Sequence, residues 1–538
     1  MRSSALLAIL LAISLGSGPT AARQPPASAP AGAAGVPFDV VIQNGRVMDG
    51  SGNPWIRQDV GIRAGRIDAI GDLGGAPAHR VIDASGRIVA PGFIDVHSHA
   101  GEGLTRAALR QGQPVLAQGI TTVVVNPDGG GPIDLAAQRA ALENGGVGPN
   151  VALLIGHGSV RRAVLGTANR EPTAEELEAM RGLVRKAMEE GAWGLSSGLF
   201  YTPGSYAKTE EVIELTKVAA AHRGLYTSHV RDEGSYNVGV VASVEEVIRI
   251  AEAAGTIGIV SHVKALGPDS WGLGHAITHR IEAARRRGVQ VFTDQYPYEA
   301  SSTSLRAALL PDGVALPTAE QIEKAPSSAA DRAVVENAER ITAENLRRRG
   351  GASSILIAHY RPDPSLEGKT LEEIAAARGD TPVRTAIALM AQSPSIVSFN
   401  MSEDDITHLM RQPYTMTSTD GGLVAMGEGK PHPRNYGAFP RKIERYVRER
   451  GVITLEHAIR SMTSLPAAVF GMNDRGVIRE GAAADLVVFD PETVVERSTY
   501  TDPHRLAEGM EFVLVNGVVV KEGGRFTEAL PGKVLMRR

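Results

Sequence analysis

The sequence predicts an α/β protein, a (β/α)₈ TIM-like barrel that carries a small β-sandwich domain formed from both chain ends. Three observations lead there. The two ends of the chain are β-rich and full of turn signals, whereas the middle alternates strands with helices. The strands of the middle are apolar throughout, as in a parallel sheet covered on both faces. Histidines and aspartates stand where several of those strands end, and in a barrel all carboxyl ends share one face.

At the N-terminus, Arg2 precedes an apolar stretch from Ala5 to Leu15 and a small-residue site at Thr20, Ala21 and Ala22. This is the pattern of a signal peptide over residues 1–22, and the stretch is too short to span a bilayer comfortably. An uncleaved anchor is the alternative. Residues 23–36 are rich in Pro, Ala and Gly and read as a flexible leader. No later segment offers an uncharged run of spanning length. The expectation is an exported protein, periplasmic or secreted, without membrane attachment after cleavage. Residues 37–91 then form short β-rich runs broken by Asn-Gly, Ala-Gly and Ser-Gly turns. Residues 475–530 repeat that style in DRGVIREGAAADLVVFDPE and EFVLVNGVVVKEGGRF. The two ends are expected to build one β-sandwich, leaving residues 92–474 for the barrel.

Within the barrel, FIDVHSH, GITTVVVNPD and VALLIGHGS read as the first strands. Thr173 and Glu176 match a capping box. Leu177, Met180, Leu183, Val184 and Met188 recur at helical spacing, and Gly191 is placed to end that helix. The run AWGLSSG follows. Helices at about 209–222, 243–254 and 275–287 lead to LYTSHV, IGIVSHVKA and VQVFTDQYPY in turn, and SILIAHY, SIVSFN and YTMTSTDGG come later. About eight strand–helix units fit a closed barrel better than an open doubly wound sheet, and no Gly-x-Gly-x-x-Gly follows the first strand.

With 538 residues, 43% of them hydrophobic, the chain can bury a large core. A net charge of −4 without any basic block argues against nucleic-acid or anionic-membrane partners. Cysteine is absent, which removes disulfides, thiolate ligands and a Cys nucleophile. Any metal site must use His and carboxylates. His97 and His99 end the first barrel strand, Asp128 the second, His229 and His262 two later ones, and Asp420 the last. His97 and His99 are two residues apart, so both imidazoles leave a strand on one side and can bind one ion. A lone strand-end His is more often a surface or hydrogen-bonding residue, but four with two Asp predict a metal centre. Neutral imidazole and carboxylate suit Zn²⁺ or a similar divalent ion. His157 and His359 also follow apolar strands and read as supporting residues. His222, His275, His279, His408 and His457 fall in helical or loop patterns and are not read as ligands. Such a centre points to hydrolysis, since the ion acidifies a bound water and polarises a carbonyl. Asp420 is the candidate to take the proton of that water and pass it to the leaving group.

These residues resemble the amidohydrolase superfamily, whose signature after the first barrel strand is similar to PGFIDVHSH. The nearest resemblance is to the N-acyl-D-amino-acid deacylase (D-aminoacylase) family. It is carried by GITTVVV, EGAWGLSSGLFYTPG, YTSHVRDEG, IVSHVKALG, DQYPYEASST, TSTDGG, HPRNYGAFPR and SLPAAVFGMNDRGVIREGAAADLVVFDP, across about residues 38–530. The resemblance implies hydrolysis of a small-molecule N-acyl-D-amino acid to a carboxylate and a free D-amino acid by attack of a metal-bound hydroxide. It implies one tight zinc, with room for a second, weaker divalent ion. His97, His99 and Asp420 would make one metal position, and His229 and His262 the other. In that family the strand ending at Asp128 usually ends in a cysteine ligand. Here Asp128 is expected to ligate instead, or to bridge two ions as a carboxylated lysine does in other amidohydrolases. The stretch GLSSGL has no lysine for that role, and Lys264 is not favoured for it. Arg434, Tyr296 and Ser302 match the residues that hold the substrate carboxylate in that family, an arginine and two hydroxyls suited to cradle it. The rival readings are a cyclic-amide hydrolase of the hydantoinase or dihydroorotase type, a dipeptidase of the same superfamily, and a non-catalytic binding protein on the same scaffold.

Overall fold

The computed structural model describes residues 36–311, 313–323 and 328–537. The expected signal peptide, and all of the leader but Val36, lie outside the described residues. No helix among the described residues is long and apolar enough to cross a membrane.

Eight parallel strands form the barrel: β1 (Phe93–Ser98), β2 (Ile120–Val125), β3 (Asn150–Leu153, continued by Ile155–Gly156), β4 (Gly194–Gly198), β5 (Leu225–His229), β6 (Gly258–Val260), β7 (Val291–Gln295) and β8 (Thr415–Thr417). Most are buried along their whole length, as the ITTVVV of β2 illustrates, because helices cover one face and barrel side chains the other. The ring closes just past β8, where Asp420 N–H donates to the His97 carbonyl at 2.9 Å and His99 N–H to the Gly421 carbonyl at 2.8 Å. One seam is unusual. The first part of β3 pairs with β2 on one side and with Val534–Leu535 on the other, and only its second part reaches β4.

The expected helices are present at Thr209–Ala221, Val240–Ala254 and Gly274–Arg286. The capping box is formed as expected: Thr173 accepts from Glu176 N–H, and the Glu176 carboxylate accepts from Thr173 N–H. This starts helix Ala174–Glu189, whose buried face includes Met180, Val184 and Met188.

Two expected strands lie elsewhere. Ile355–His359 and Ser395–Phe399, from SILIAHY and SIVSFN, pair antiparallel in a three-stranded sheet with Ala300–Ser304. This sheet and its helices, inserted between β7 and β8, pack around their own core of Leu305, Ile355, Ile357, Leu371, Ile374 and Ile387. A short apolar run states that a strand is buried but not in which sheet. The β-rich ends form two further sheets. Strand Ile88–Pro91 pairs antiparallel with Leu486–Phe489, so residues from both ends share one sheet. Val40, Ile62, Leu486 and Leu514 meet in the core that it shares with the sheet of Phe38–Gln43 and Asp59–Arg63.

Candidate metal centre

The expected ligands converge at the carboxyl end of the barrel. His97 and His99 leave β1 on one side, His97 buried and the His99 side chain 42% exposed. Asp128 follows β2 through a tight turn, with its oxygens 3.2 Å from His97 Nε2 and 3.3 Å from His99 Nε2. Asp420 Oδ1 lies 3.1 Å from His99 Nε2 and 3.6 Å from His97 Nε2. On the other side, His229 Nδ1 is 3.0 Å from His262 Nε2, which is 3.5 Å from Asp128 Oδ1. Two ligand groups result, His97–His99–Asp128–Asp420 and Asp128–His229–His262, the ligand atoms of each lying within 4.8 Å of one another. Asp128 is common to both.

The backbone is bent to make this possible. Asp128, His262 and Asp420 have positive φ values of 55°, 34° and 49°, and Asn126 one of 65°. Such conformations are unfavourable for non-glycine residues and cluster where surrounding structure enforces them. Here the enforcement is visible. Asn126 exchanges hydrogen bonds with the Gln138 side chain at 2.8 and 3.0 Å and donates to the Leu154 carbonyl at 3.0 Å. Ser196 Oγ donates to the Asn126 carbonyl at 2.7 Å and accepts from Gly129 N–H at 3.2 Å. Residues 194–198 read GLSSG, with Gly-x-Ser-x-Gly spacing, but they form strand β4, and Ser196 braces the Asp128 turn instead of standing on an exposed elbow. Gly129 is required there: its φ is 72°, and a Cβ would fall 2.9 Å from Gly198 N. Within β1, buried Asp95 accepts from Thr419 N–H at 2.9 Å, and near the end of β7 Asp294 accepts from His262 N–H at 2.9 Å and Ser418 Oγ at 2.6 Å.

Burial opposes charge on Asp128, but His97, His262 and His99 outweigh it and hold the carboxyl well below its usual value. Burial also opposes charge on Asp420, where Arg434, 2.7 Å away, and His262 again win. Both are carboxylates at neutral pH. Burial pushes His229 down to about 4, leaving a neutral imidazole of the kind a metal requires.

The candidate ligands His99, Asp128, His229, His262 and Asp420 face a cavity of ≈ 400 Å³ also lined by Lys264, Tyr296, Ser302, Arg349 and Arg434. The three expected carboxylate-holding residues therefore share one space with the ligand groups. The Arg434 guanidinium stacks over the Tyr296 ring at 4.7 Å.

A family model described as "Amidohydrolase family" matches residues 80–521. The chain belongs to the amidohydrolase family. Among its relatives, D-aminoacylase from Alcaligenes xylosoxydans xylosoxydans is 36% identical over 93% of this chain and 98% of its own. N-acyl-D-glutamate deacylase from the same organism is 38% identical over 93% of this chain and 97% of its own. A solved N-acyl-D-glutamate deacylase from Bordetella bronchiseptica, complexed with zinc and a phosphonate inhibitor that mimics the tetrahedral intermediate, superposes with a TM-score of 0.79. It is 38% identical and covers 93% of this chain and 100% of its own.

The amidohydrolase also has site residues that sequence reasoning missed. Glu233 Oε1 sits 3.0 Å from His262 Nδ1 and pairs with Lys264, whose Nζ is 2.8 Å from the same nitrogen. Glu233 thus orients the ring of a candidate ligand, a role that commonly decides metal affinity. Its signal was present in YTSHVRDEG, four residues after His229. Lys264 belongs to neither ligand group. The strand ends at Val260 and the chain turns at His262, so Lys264 is directed to Glu233. His157 and His359 are held by Glu211 at 2.9 Å and Glu367 at 2.9 Å, away from the ligand groups.

Proposed function

We propose that this chain is a metal-dependent deacylase that cleaves N-acyl-D-amino acids to a carboxylate and a free D-amino acid. The observation that carries the reading is a pair of unsatisfied donors beside the ligand groups. Tyr296 Oη and Arg434 Nε are buried without a hydrogen-bond partner among the described residues and belong to the wall of the same cavity. Burying such groups unpaired costs about 1–3 kcal/mol each, an arrangement that a bound carboxylate relieves. A guanidinium and a hydroxyl form charge-assisted hydrogen bonds to that group. Ser302 is the third contact. The names and ligands of the relatives supply the D-configuration and zinc.

The residues fit a divalent cation. His97 Nε2 and Asp128 Oδ1 face each other at 3.2 Å, yet neither atom has a hydrogen-bond partner among the described residues. Unpaired buried donor atoms aimed at one point are what a metal site requires. His97, His99, Asp128 and Asp420 would hold one zinc, and Asp128, His229 and His262 a second, weaker ion. A bound ion supplies an acidified water and a polarised amide carbonyl. Asp420, ionised beside Arg434, accepts a proton from the attacking water and returns it to the departing amine nitrogen. Arg434, Tyr296 and Ser302 fix the substrate carboxylate and so place the scissile amide at the ligand groups.

The test is turnover by purified, zinc-supplemented protein on paired N-acetyl-D- and N-acetyl-L-amino acids, with hydantoins alongside. Hydrolysis of the D-series and its loss in chelator are expected. Turnover of hydantoins without any of N-acyl-D-amino acids would refute the reading. We also propose export, on the N-terminal pattern; a mature protein beginning at Arg23 in the extracytoplasmic fraction is the expected result.

A further inference from the structure

We infer that Arg349 is a specificity-determining residue, selecting N-acyl-D-amino acids that carry a second carboxylate on the side chain; this rests on the deacylase reading above. Arg349 caps the C-terminal end of helix Ala329–Arg348, in the unit inserted between β7 and β8. It is 3% exposed and lines the cavity. Among the described residues, three basic side chains other than histidine line that cavity: Lys264, Arg349 and Arg434. Lys264 is paired with Glu233 and Arg434 with Asp420. Arg349 has no carboxylate partner among the described residues, and its Nε has no hydrogen-bond partner. With the Asn400 amide turned so that its oxygen faces the guanidinium, that oxygen accepts from Nη1 at 3.1 Å. The ring of Tyr236 lies 5.7 Å from the guanidinium carbon.

A buried guanidinium without a counter-charge is costly to keep. Its planar fork suits a carboxylate in particular. The α-carboxylate already has its receptor in Arg434 and Tyr296. Arg349 belongs to neither ligand group and arrives from a different structural unit. The remaining anion on an N-acyl-D-amino acid is an acidic side chain, as in D-glutamate or D-aspartate.

The experiment compares kcat/KM for N-acetyl-D-glutamate and N-acetyl-D-glutamine on zinc-loaded wild type, Arg349→Met and Arg349→Lys. We expect wild type to favour the glutamate by about 10-fold or more, and Arg349→Met to lower the glutamate-to-glutamine ratio by about 30-fold or more, with partial recovery in Arg349→Lys. Free of ligand, Arg349→Met should melt at or above the wild-type temperature, since it removes an uncompensated charge. A wild-type preference for the glutamine, or a ratio unmoved by Arg349→Met, would overturn the inference. Calorimetry with free D-glutamate and D-glutamine separates the two readings. If no N-acyl-D-amino acid turns over, the deacylase reading fails. Selective D-glutamate binding that Arg349→Met abolishes would still uphold the anion receptor, and equal binding of both ligands would sink it.

Discussion

Asp128→Asn removes one negative charge from the point where the two ligand groups meet. The substitution is nearly isosteric. Asparagine also tolerates the left-handed backbone that this position adopts at φ 55°, so the turn survives and charge is the variable. The carboxylate lies 3.2, 3.3 and 3.5 Å from His97, His99 and His262. Taking one partner from a buried charged cluster costs about 3–5 kcal/mol. Spent on ion binding, that is a loss of roughly 10²- to 10⁴-fold in zinc affinity. The assay is zinc content after dialysis against a chromophoric chelator, read beside kcat/KM on an N-acetyl-D-amino acid. Both should fall together. Asp128→Cys is the companion variant: it restores an anionic ligand, and its cobalt-loaded form should show a thiolate-to-metal charge-transfer band that wild type lacks. Unchanged zinc affinity and rate in Asp128→Asn would show that the residue only terminates a strand.

Three further outcomes are expected. Burial lowers Lys442 from 10.5 to about 7, so the folded state releases this proton before the unfolded state does, and stability should rise between about pH 7 and 10.5. The shift corresponds to about 5 kcal/mol lost below neutral pH. Lys442→Met should raise the melting temperature at pH 7 and flatten that slope, because Thr417 and Ser461 still bond each other at 3.1 Å. Gly129→Ala should destabilise the protein by roughly 1–3 kcal/mol and lower its zinc content, read by thermal melting and metal analysis. Tyr296→Phe should raise KM about 10-fold with a smaller change in kcat, since it removes one of the contacts proposed for the substrate carboxylate.

What could be read from the sequence follows from what a strand end specifies. An apolar run in a parallel sheet has a direction, so the His or Asp that ends it must emerge on the carboxyl face. His97, His99, Asp128, His229, His262 and Asp420 all follow from that rule. Side chains that enter from other units carry no such direction in the sequence. Arg349 comes from the inserted unit and Glu233 from a loop, and no periodicity says that either meets the barrel. Asp95 was within reach, two residues before His97 and on the same side of the strand, yet an acid inside an apolar run reads as an exception until Thr419 is seen bonded to it. SILIAHY and SIVSFN misled for the opposite reason, being apolar enough to belong to either sheet.

The seam in the barrel wall has a consequence for assembly. Val151 and Ala152 are paired on one side by Val123 and Val124, and on the other by Val534 and Leu535, which follow the whole barrel in the chain. The contact is among the most distant in sequence, and such contacts form late because a long loop must close first. The candidate metal ligands can therefore all be synthesised, and most of the barrel formed, while one stave still lacks its neighbour. Val534 and Leu535 act as a clasp. A chain cut short before them would carry every candidate ligand and still have an open wall, its Trp193 indole deprived of the Leu535 carbonyl it donates to at 2.9 Å.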